Sequence, residues 1–295
     1  MTIVIAGYYK NDLFFIGDTA ITQGNKILLS GFKKIYALPI ITHKPIFSPR
    51  TFRRYRPFDG YSSECVVALA GSTLIAQHLI NTISEHLRKI RIIHQYNENG
   101  LKLSLLRHCD IASNPMYRDI YCEYSDDIYT FNNMNKAINV NEILNIIDYS
   151  IDEAFSSASS HIISEPEWER LLKNEYLIGI HDSSNRKNLL FKIKLDSIHD
   201  SEGLLRIKSE RILITESELA VIGLNDSIDI TKQYLDKIND IYQKHKESDE
   251  DLPLILLKAV EDVINEANGQ GYKAISKPII LKKFNGRLEI SIMVT

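Results

Sequence analysis

Segments with strand and helix character follow one another in an order that few architectures accept: strands, two helices, strands, two helices, strands. Thr2 to Gly7 is a β-branched run, Asn11-Asp12 signals a turn, and Leu13 to Gly17 reads as the returning strand of a hairpin. Thr19 to Thr22 continues extended, and short strands are expected over Lys26 to Ser30 and Lys34 to Ala37. Cys65 to Ala70 is continuously apolar and predicts a strand buried on both faces. Gly71-Ser72 then opens a helix in which Ile75, Leu79, Ile83 and Leu87 recur every four residues, with an expected end near Ile93. A second helix, capped by Asn141, lines one face with Ile143, Leu144, Ile147, Ile151 and Phe155. Strands over Glu175 to Ile180, Leu189 to Leu195, Leu205 to Ile214 and Leu219 to Ile222 precede a second helix pair, Ile228 to Lys244 and Pro253 to Asn268. Asn285-Gly286 joins a last hairpin, Lys277 to Lys283 with Leu288 to Val294. Hairpins in place of βαβ units imply antiparallel sheets. With two helix pairs, the pattern suggests an α+β fold, a four-layer αββα sandwich. Residues 38–62, with Pro39, Pro45, Pro49 and Pro57, and residues 95–138, polar and weakly periodic, read as irregular insertions into a single domain spanning 1–295.

Composition removes several classes. Hydrophobic residues at 44% and charged residues at 25% are ordinary for a globular chain, and rule out a coiled-coil rod or a disordered tail. A net charge of -3 gives no sign of a nucleic-acid or membrane partner. Cys65, Cys109 and Cys122 are scattered, without a C-x-x-C pair, which encourages neither a disulfide scaffold nor a thiolate metal site and suits a reducing cytoplasm. No metal or cofactor is expected. Apolar runs are too short to span a membrane, and no secretory signal opens the chain.

The N-terminus carries the chemistry. Removal of Met1 would leave Thr2 with a hydroxyl nucleophile and an α-amine on one residue. The reference pKa of such an amine, about 7.7–8.0, lets it serve as the base for its own hydroxyl. Asp18 follows Thr2 by sixteen residues and Lys34 follows Asp18 by sixteen more; the hairpin returns Asp18 towards Thr2. A lysine beside the amine disfavours its protonated form, and a carboxylate holds the lysine charged and oriented. Gly71, between a buried strand and a helix, places its N–H where an oxyanion donor is expected.

With these residues in hand, the chain resembles the proteasome β-subunits and their bacterial relatives among the N-terminal nucleophile hydrolases. The resemblance rests on Thr2-Ile-Val-Ile-Ala-Gly, Phe15-Ile-Gly-Asp-Thr-Ala-Ile-Thr22, Lys33-Lys-Ile35 and Ala68-Leu-Ala-Gly-Ser72, with looser matches at Tyr176 to Ile180, Ala220 to Leu224 and Leu235-Asp236. It implies the αββα fold and a threonine hydrolase of peptide or amide bonds in which Thr2, Asp18, Lys34 and Gly71 are catalytic. Thr22 would bind substrate backbone, and Ile21, Phe32, Tyr36 and Leu69 would line an apolar substrate pocket. It also implies a peptide or protein substrate, a homo-oligomer, and service by an unfoldase or adaptor. An inactive structural subunit and an amide ligase are the alternatives on the same fold. Two departures stand out. Gly223-Leu224-Asn225 replaces the family's Gly-Ser-Gly, and Asn268 stands where a second acid is expected, which predicts a more positive site.

Two other stretches invite functional readings. Lys44 to Phe58 interleaves Lys44, Arg50, Arg53, Arg54 and Arg56 with Phe52, Tyr55 and Phe58, a pattern that can bind nucleic acid but more simply makes a subunit contact or a substrate-channel loop, and most simply a solvated loop. Arg107-His108-Cys109-Asp110 carries nucleophile and ligand types without companions at ligand spacing.

Overall fold

A computed structural model describes residues 2–23, 26–98, 100–118, 121–123, 125–156, 164–199, 201, 205–223, 229–248, 250–271 and 275–295. The chain opens with β1 (Val4–Tyr9), β2 (Asp12–Asp18), β3 (Ile21–Gln23) and β4 (Lys26–Leu29). β5 (Ile35–Ile40), β6 (Thr42–Phe47), β7 (Phe52–Pro57) and β8 (Ser63–Ala70) lead to α1 (Thr73–Leu87). Next come β9 (Ile90–Asn97), β10 (Gly100–Leu106), α2 (Pro115–Arg118), α3 (Ser125–Ile128), α4 (Phe131–Ala137), α5 (Val140–Ser156) and α6 (Glu165–Leu172). The rest is β11 (Glu175–Asp182), β12 (Lys187–His199), β13 (Leu205–Ile214), β14 (Ala220–Ile222), α7 (Asp229–His245), α8 (Leu252–Gly269), β15 (Ile279–Phe284) and β16 (Leu288–Val294).

Two five-stranded antiparallel sheets dominate, one ordered β14-β1-β2-β15-β16 and the other β13-β12-β11-β8-β5. The period-2 alternation of strand side chains sorts their residues into three hydrophobic clusters. In β8, Cys65, Val67 and Leu69 join α1 and α5 in one cluster, while Val66, Ala68 and Ala70 join residues of the other sheet. In β2, Phe14 and Ile16 pack with α7 and α8, and Leu13 and Phe15 turn to the shared cluster. Buried on both faces, the Cys65–Ala70 part of β8 must be apolar, which is the pattern its sequence carries. The closing hairpin turns at Asn285-Gly286, where Gly286 takes a φ of +73° that favours glycine.

The structure departs from the sequence reading in four places. Helix α1 ends at Leu87: Ile90, Ile92 and Ile93, which prolonged its apparent period, are buried in β9 instead, where β-branched side chains pack well. Helix α5 starts at Val140, and its cap is Asn139, whose Oδ1 accepts the Glu142 N–H at 2.9 Å; Asn141 lies inside the helix. The segments read as irregular insertions supply a third sheet, ordered β10-β9-β6-β7, in which β6 runs parallel to β9. Helix α6, absent from the reading, is short and has no buried residues. Within the basic stretch, Arg53, Arg54 and Arg56 are exposed on the edge strand β7, but Phe52 and Phe58 are buried and the Tyr55 hydroxyl donates to Asn114 Oδ1 at 3.1 Å. Its aromatic rings are therefore engaged in packing rather than offered for base stacking. Among the described residues no helix is long and apolar enough to cross a membrane.

Candidate active site

The β1–β2 hairpin pairs Val4 with Gly17, so its open end sets Thr2 beside Asp18. The two strands are locked there by reciprocal bonds: the Asp18 N–H donates to Ile3 O at 3.1 Å and the Ile3 N–H donates to Asp18 Oδ1 at 2.9 Å. Lys34 precedes β5, and its carbonyl accepts the Leu69 N–H of β8 at 3.0 Å. From there its Nζ donates to both Asp18 oxygens at 2.8 Å and to Thr2 Oγ1 at 2.9 Å. Thr2, Asp18 and Lys34 are 8%, 0% and 5% exposed. Burial pushes the Lys34 pKa down and that of Asp18 up, each shift opposed by the charge of the other. The pair thus holds a cation against the threonine hydroxyl in a site poor in water, where it acts strongly on any neighbouring acid or base.

Thr2 and Lys34 form part of the wall of a cleft of about 680 Å³. Gly71, Ile21, Thr22, Phe32 and Leu69 line it as well. Phe32 is held there by its N–H bond to Thr19 O at 2.8 Å, and Thr19 in turn is tied to Pro278 O through its N–H at 3.0 Å. Tyr36 is the exception among the expected pocket residues: it does not line the cleft but packs on the cluster beneath α1, with Lys33 over its ring.

Asn174, Glu175, Lys192 and Gly223, none of them expected at the site, also line the cleft. Asn174 is 1% exposed. Its Oδ1 accepts the Ser72 N–H at 2.8 Å, and its Nδ2 donates to Arg170 O and Leu171 O, both at 2.9 Å. It therefore ties the end of α6 to the Gly71-Ser72 turn. Gly71 has a φ of +123°, and a Cβ there would strike Asn174. Gly223, φ +90°, lies so close to Thr2 that a Cβ would run into the Thr2 carbonyl oxygen. Its N–H donates to Glu175 Oε2 at 2.8 Å, and Glu175 Oε1 pairs with Lys192 Nζ at 2.8 Å. An asparagine just after a helix is a C-terminal signal, and it was the one available pointer to Asn174.

No family model matches the chain, and no curated protein does. Among solved structures it is similar to an Anbu (Gly-1) mutant from Hyphomicrobium sp. strain MC1, with 15% identity and a TM-score of 0.53, covering 100% of this chain and 86% of that one. It is also similar to Anbu (ancestral beta-subunit) from Yersinia bercovieri, with 12% identity and a TM-score of 0.51, covering 100% and 87%. The chain shares the Anbu fold.

The two expected departures fare differently in that fold. Leu224 and Asn225 lie outside the described residues, as does Met1. Asn268 sits in the last turn of α8 and does not line the cleft; its buried Oδ1 has no hydrogen-bond partner among the described residues. Besides Lys34 the cleft is lined by Lys173, Lys192 and Lys194 and by one carboxylate, that of Glu175, which is paired with Lys192. Among the described residues no cluster of His, Cys, Asp and Glu could hold a metal ion.

Proposed function

We propose that the chain is a proteasome β-subunit-like threonine hydrolase of peptide or amide bonds. The observation that carries the reading is Lys34 Nζ bridging Thr2 Oγ1 and both oxygens of Asp18 at the wall of the cleft. With Met1 removed, the Thr2 amine takes the proton of its own hydroxyl as Oγ1 attacks the scissile carbonyl. Lys34 keeps that amine deprotonated and stabilises the negative charge that develops on Oγ1, and Asp18 fixes Lys34 in place. The Gly71 N–H, held by the Asn174-anchored turn, receives the oxyanion. The amine then returns the proton to the leaving nitrogen, and water resolves the acyl-enzyme by the same route in reverse. Apolar Ile21, Phe32 and Leu69 favour an apolar substrate side chain, and Thr22 contacts the substrate backbone.

The scaffold is read as one domain, a four-layer αββα sandwich extended by the third sheet. Support comes from the division of alternate β8 and β2 residues between helix-side clusters and a shared cluster, and from the Anbu likeness. The test is amide turnover on fluorogenic peptides with apolar residues before the scissile bond. Wild type should release the fluorophore and Thr2→Ala should not, with both variants equally folded by circular dichroism. Equal turnover in the two would exclude the proposal; silence in both would leave the inactive-subunit reading in force. An amide product formed with added amine would mark a ligase.

A further inference from the structure

A second constellation lies at the other end of α1, about 20 Å from Thr73 at the helical rise per residue. His86, in the last turn of α1, is 7% exposed, and its Nδ1 meets Ser150 Oγ of α5 at 2.9 Å. Ser150 is fully buried, and its single hydroxyl proton goes to Ile146 O at 2.6 Å. The serine oxygen can therefore only accept from His86, which places the ring proton on Nδ1 and leaves Nε2 with a free lone pair. That lone pair faces Cys109 Sγ at 3.6 Å. Cys109 is exposed, whereas Cys65 and Cys122 are buried. The result is a nucleophile, a base and an orienting group in contact, the arrangement that activates a thiol.

We propose that Cys109 is a reactive thiol, activated by His86 and oriented through Ser150, that is oxidised by hydroperoxides to the sulfenic acid. Sγ gives its proton to His86 Nε2 and attacks the nearer peroxide oxygen. An S–O bond forms as the O–O bond breaks, and the departing hydroxide (alkoxide, for an organic hydroperoxide) takes the proton from His86 to leave as water or alcohol. Sulfur loses two electrons and the peroxide gains them. The charges around the ring are nearly balanced. On α1, Glu85 pairs with Lys89 at 2.8 Å and lies 3.8 Å from His108 Nε2. In the turn, Arg107 pairs with Asp110 at 2.7 Å. On α5, Tyr149 receives the Arg107 guanidinium on its face and donates to Glu153 at 3.2 Å. The His108 ring stands 5.6 Å from that of His86, and burial lowers its pKa, so it adds no fixed cation. Burial likewise holds the His86 pKa below the ordinary value, so the ring is a neutral acceptor near pH 7. With the other two cysteines buried, no second thiol of the chain stands at the surface to convert the product into a disulfide.

An ordinary thiol is only about 3% thiolate at pH 7, so full activation has a ceiling of about thirtyfold in rate, lowered to about tenfold by the weaker nucleophilicity of an acidic thiol. The native full chain is alkylated with iodoacetamide at pH 7, and Cys109 modification is followed by peptide mass spectrometry beside glutathione. Cys109 should react about tenfold faster than glutathione. His86→Asn should bring it to the glutathione rate, and Ser150→Ala should fall between. Hydrogen peroxide followed by dimedone should label wild type at Cys109 and leave Cys109→Ser unlabelled. Alkylation of wild type no faster than glutathione overturns the proposal without any variant, so a failure of His86→Asn to fold does not shelter it. A rate unchanged in folded His86→Asn, or no dimedone label on wild type, overturns it equally.

Discussion

Lys34 is asked to stay charged while 5% exposed, and it does so because Asp18 offers both oxygens. Asp18→Asn keeps the shape and removes the counter-charge, leaving a buried ammonium unpaired, which should lower stability by ~3–5 kcal/mol. The pH dependence follows from the sign of the shift. The folded pKa of Lys34 lies below the 10.5 of the unfolded side chain, and it drops further once Asp18 no longer raises it. Between the two values the unfolded chain binds more protons, so the stability of Asp18→Asn rises with pH across that interval. Urea midpoints should show the mutant recovering part of its deficit as the pH rises towards 10.5; a deficit that grows instead contradicts the assignment. Gly223 makes a second residue-scale demand. Gly223→Ala drives a methyl group into the Thr2 carbonyl at a positive φ, and the displaced nucleophile should lose about a hundredfold in turnover, read from kcat on a peptide amide. If kcat is kept, Gly223 does not position Thr2.

At the scale of elements, the hairpin that delivers Asp18 to Thr2 was legible because its register is local: a β-branched run, a turn and a returning strand leave little choice. The elements that shape the oxyanion turn were not. Asn174 acts on Ser72 across 102 residues, and no local pattern records such a contact. Asn174→Ala should strip a partner from the Ser72 N–H and from two carbonyls. It should cost ~1–3 kcal/mol and lower kcat at least about tenfold with KM little changed, because the donor is displaced rather than the substrate pocket. A matching drop in stability with unaltered kcat would reduce Asn174 to a structural role. The third sheet was hidden for a related reason. Its strands come from two separate segments and pair partly in parallel. Prolines and arginines on β6 and β7 break the alternation that marks a strand. The end of α1 was misread because Ile90, Ile92 and Ile93 continue a helical spacing by chance and are buried for another purpose, in β9. Asn139→Ala offers a check on the corrected start of α5, expected to cost about 1 kcal/mol as a lost cap, against little change for Asn141→Ala.

The whole molecule combines two antiparallel sheets, helix pairs α1–α5 and α7–α8, and a cleft that gathers residues from β3, β8, β11 and β12 around Thr2. Seven of the nine residues expected at the site line that cleft; Asp18 stands behind it, bonded to Lys34, and Tyr36 lies elsewhere. On the proposed reading the chain works as one subunit of an assembly, and sedimentation velocity at micromolar concentration should find species larger than the monomer, with a lone monomer counting against it. The proposed chemistry turns on a single atom, the Thr2 hydroxyl oxygen set free beside its own amine. Its most direct test is the intact mass of the native chain after treatment with a β-lactone probe, followed by peptide mapping. The expected mass is short of one methionine and heavier by one probe, with the adduct on Thr2 and absent from Thr2→Ala. A chain that retains Met1 and takes up no probe at Thr2 would contradict it.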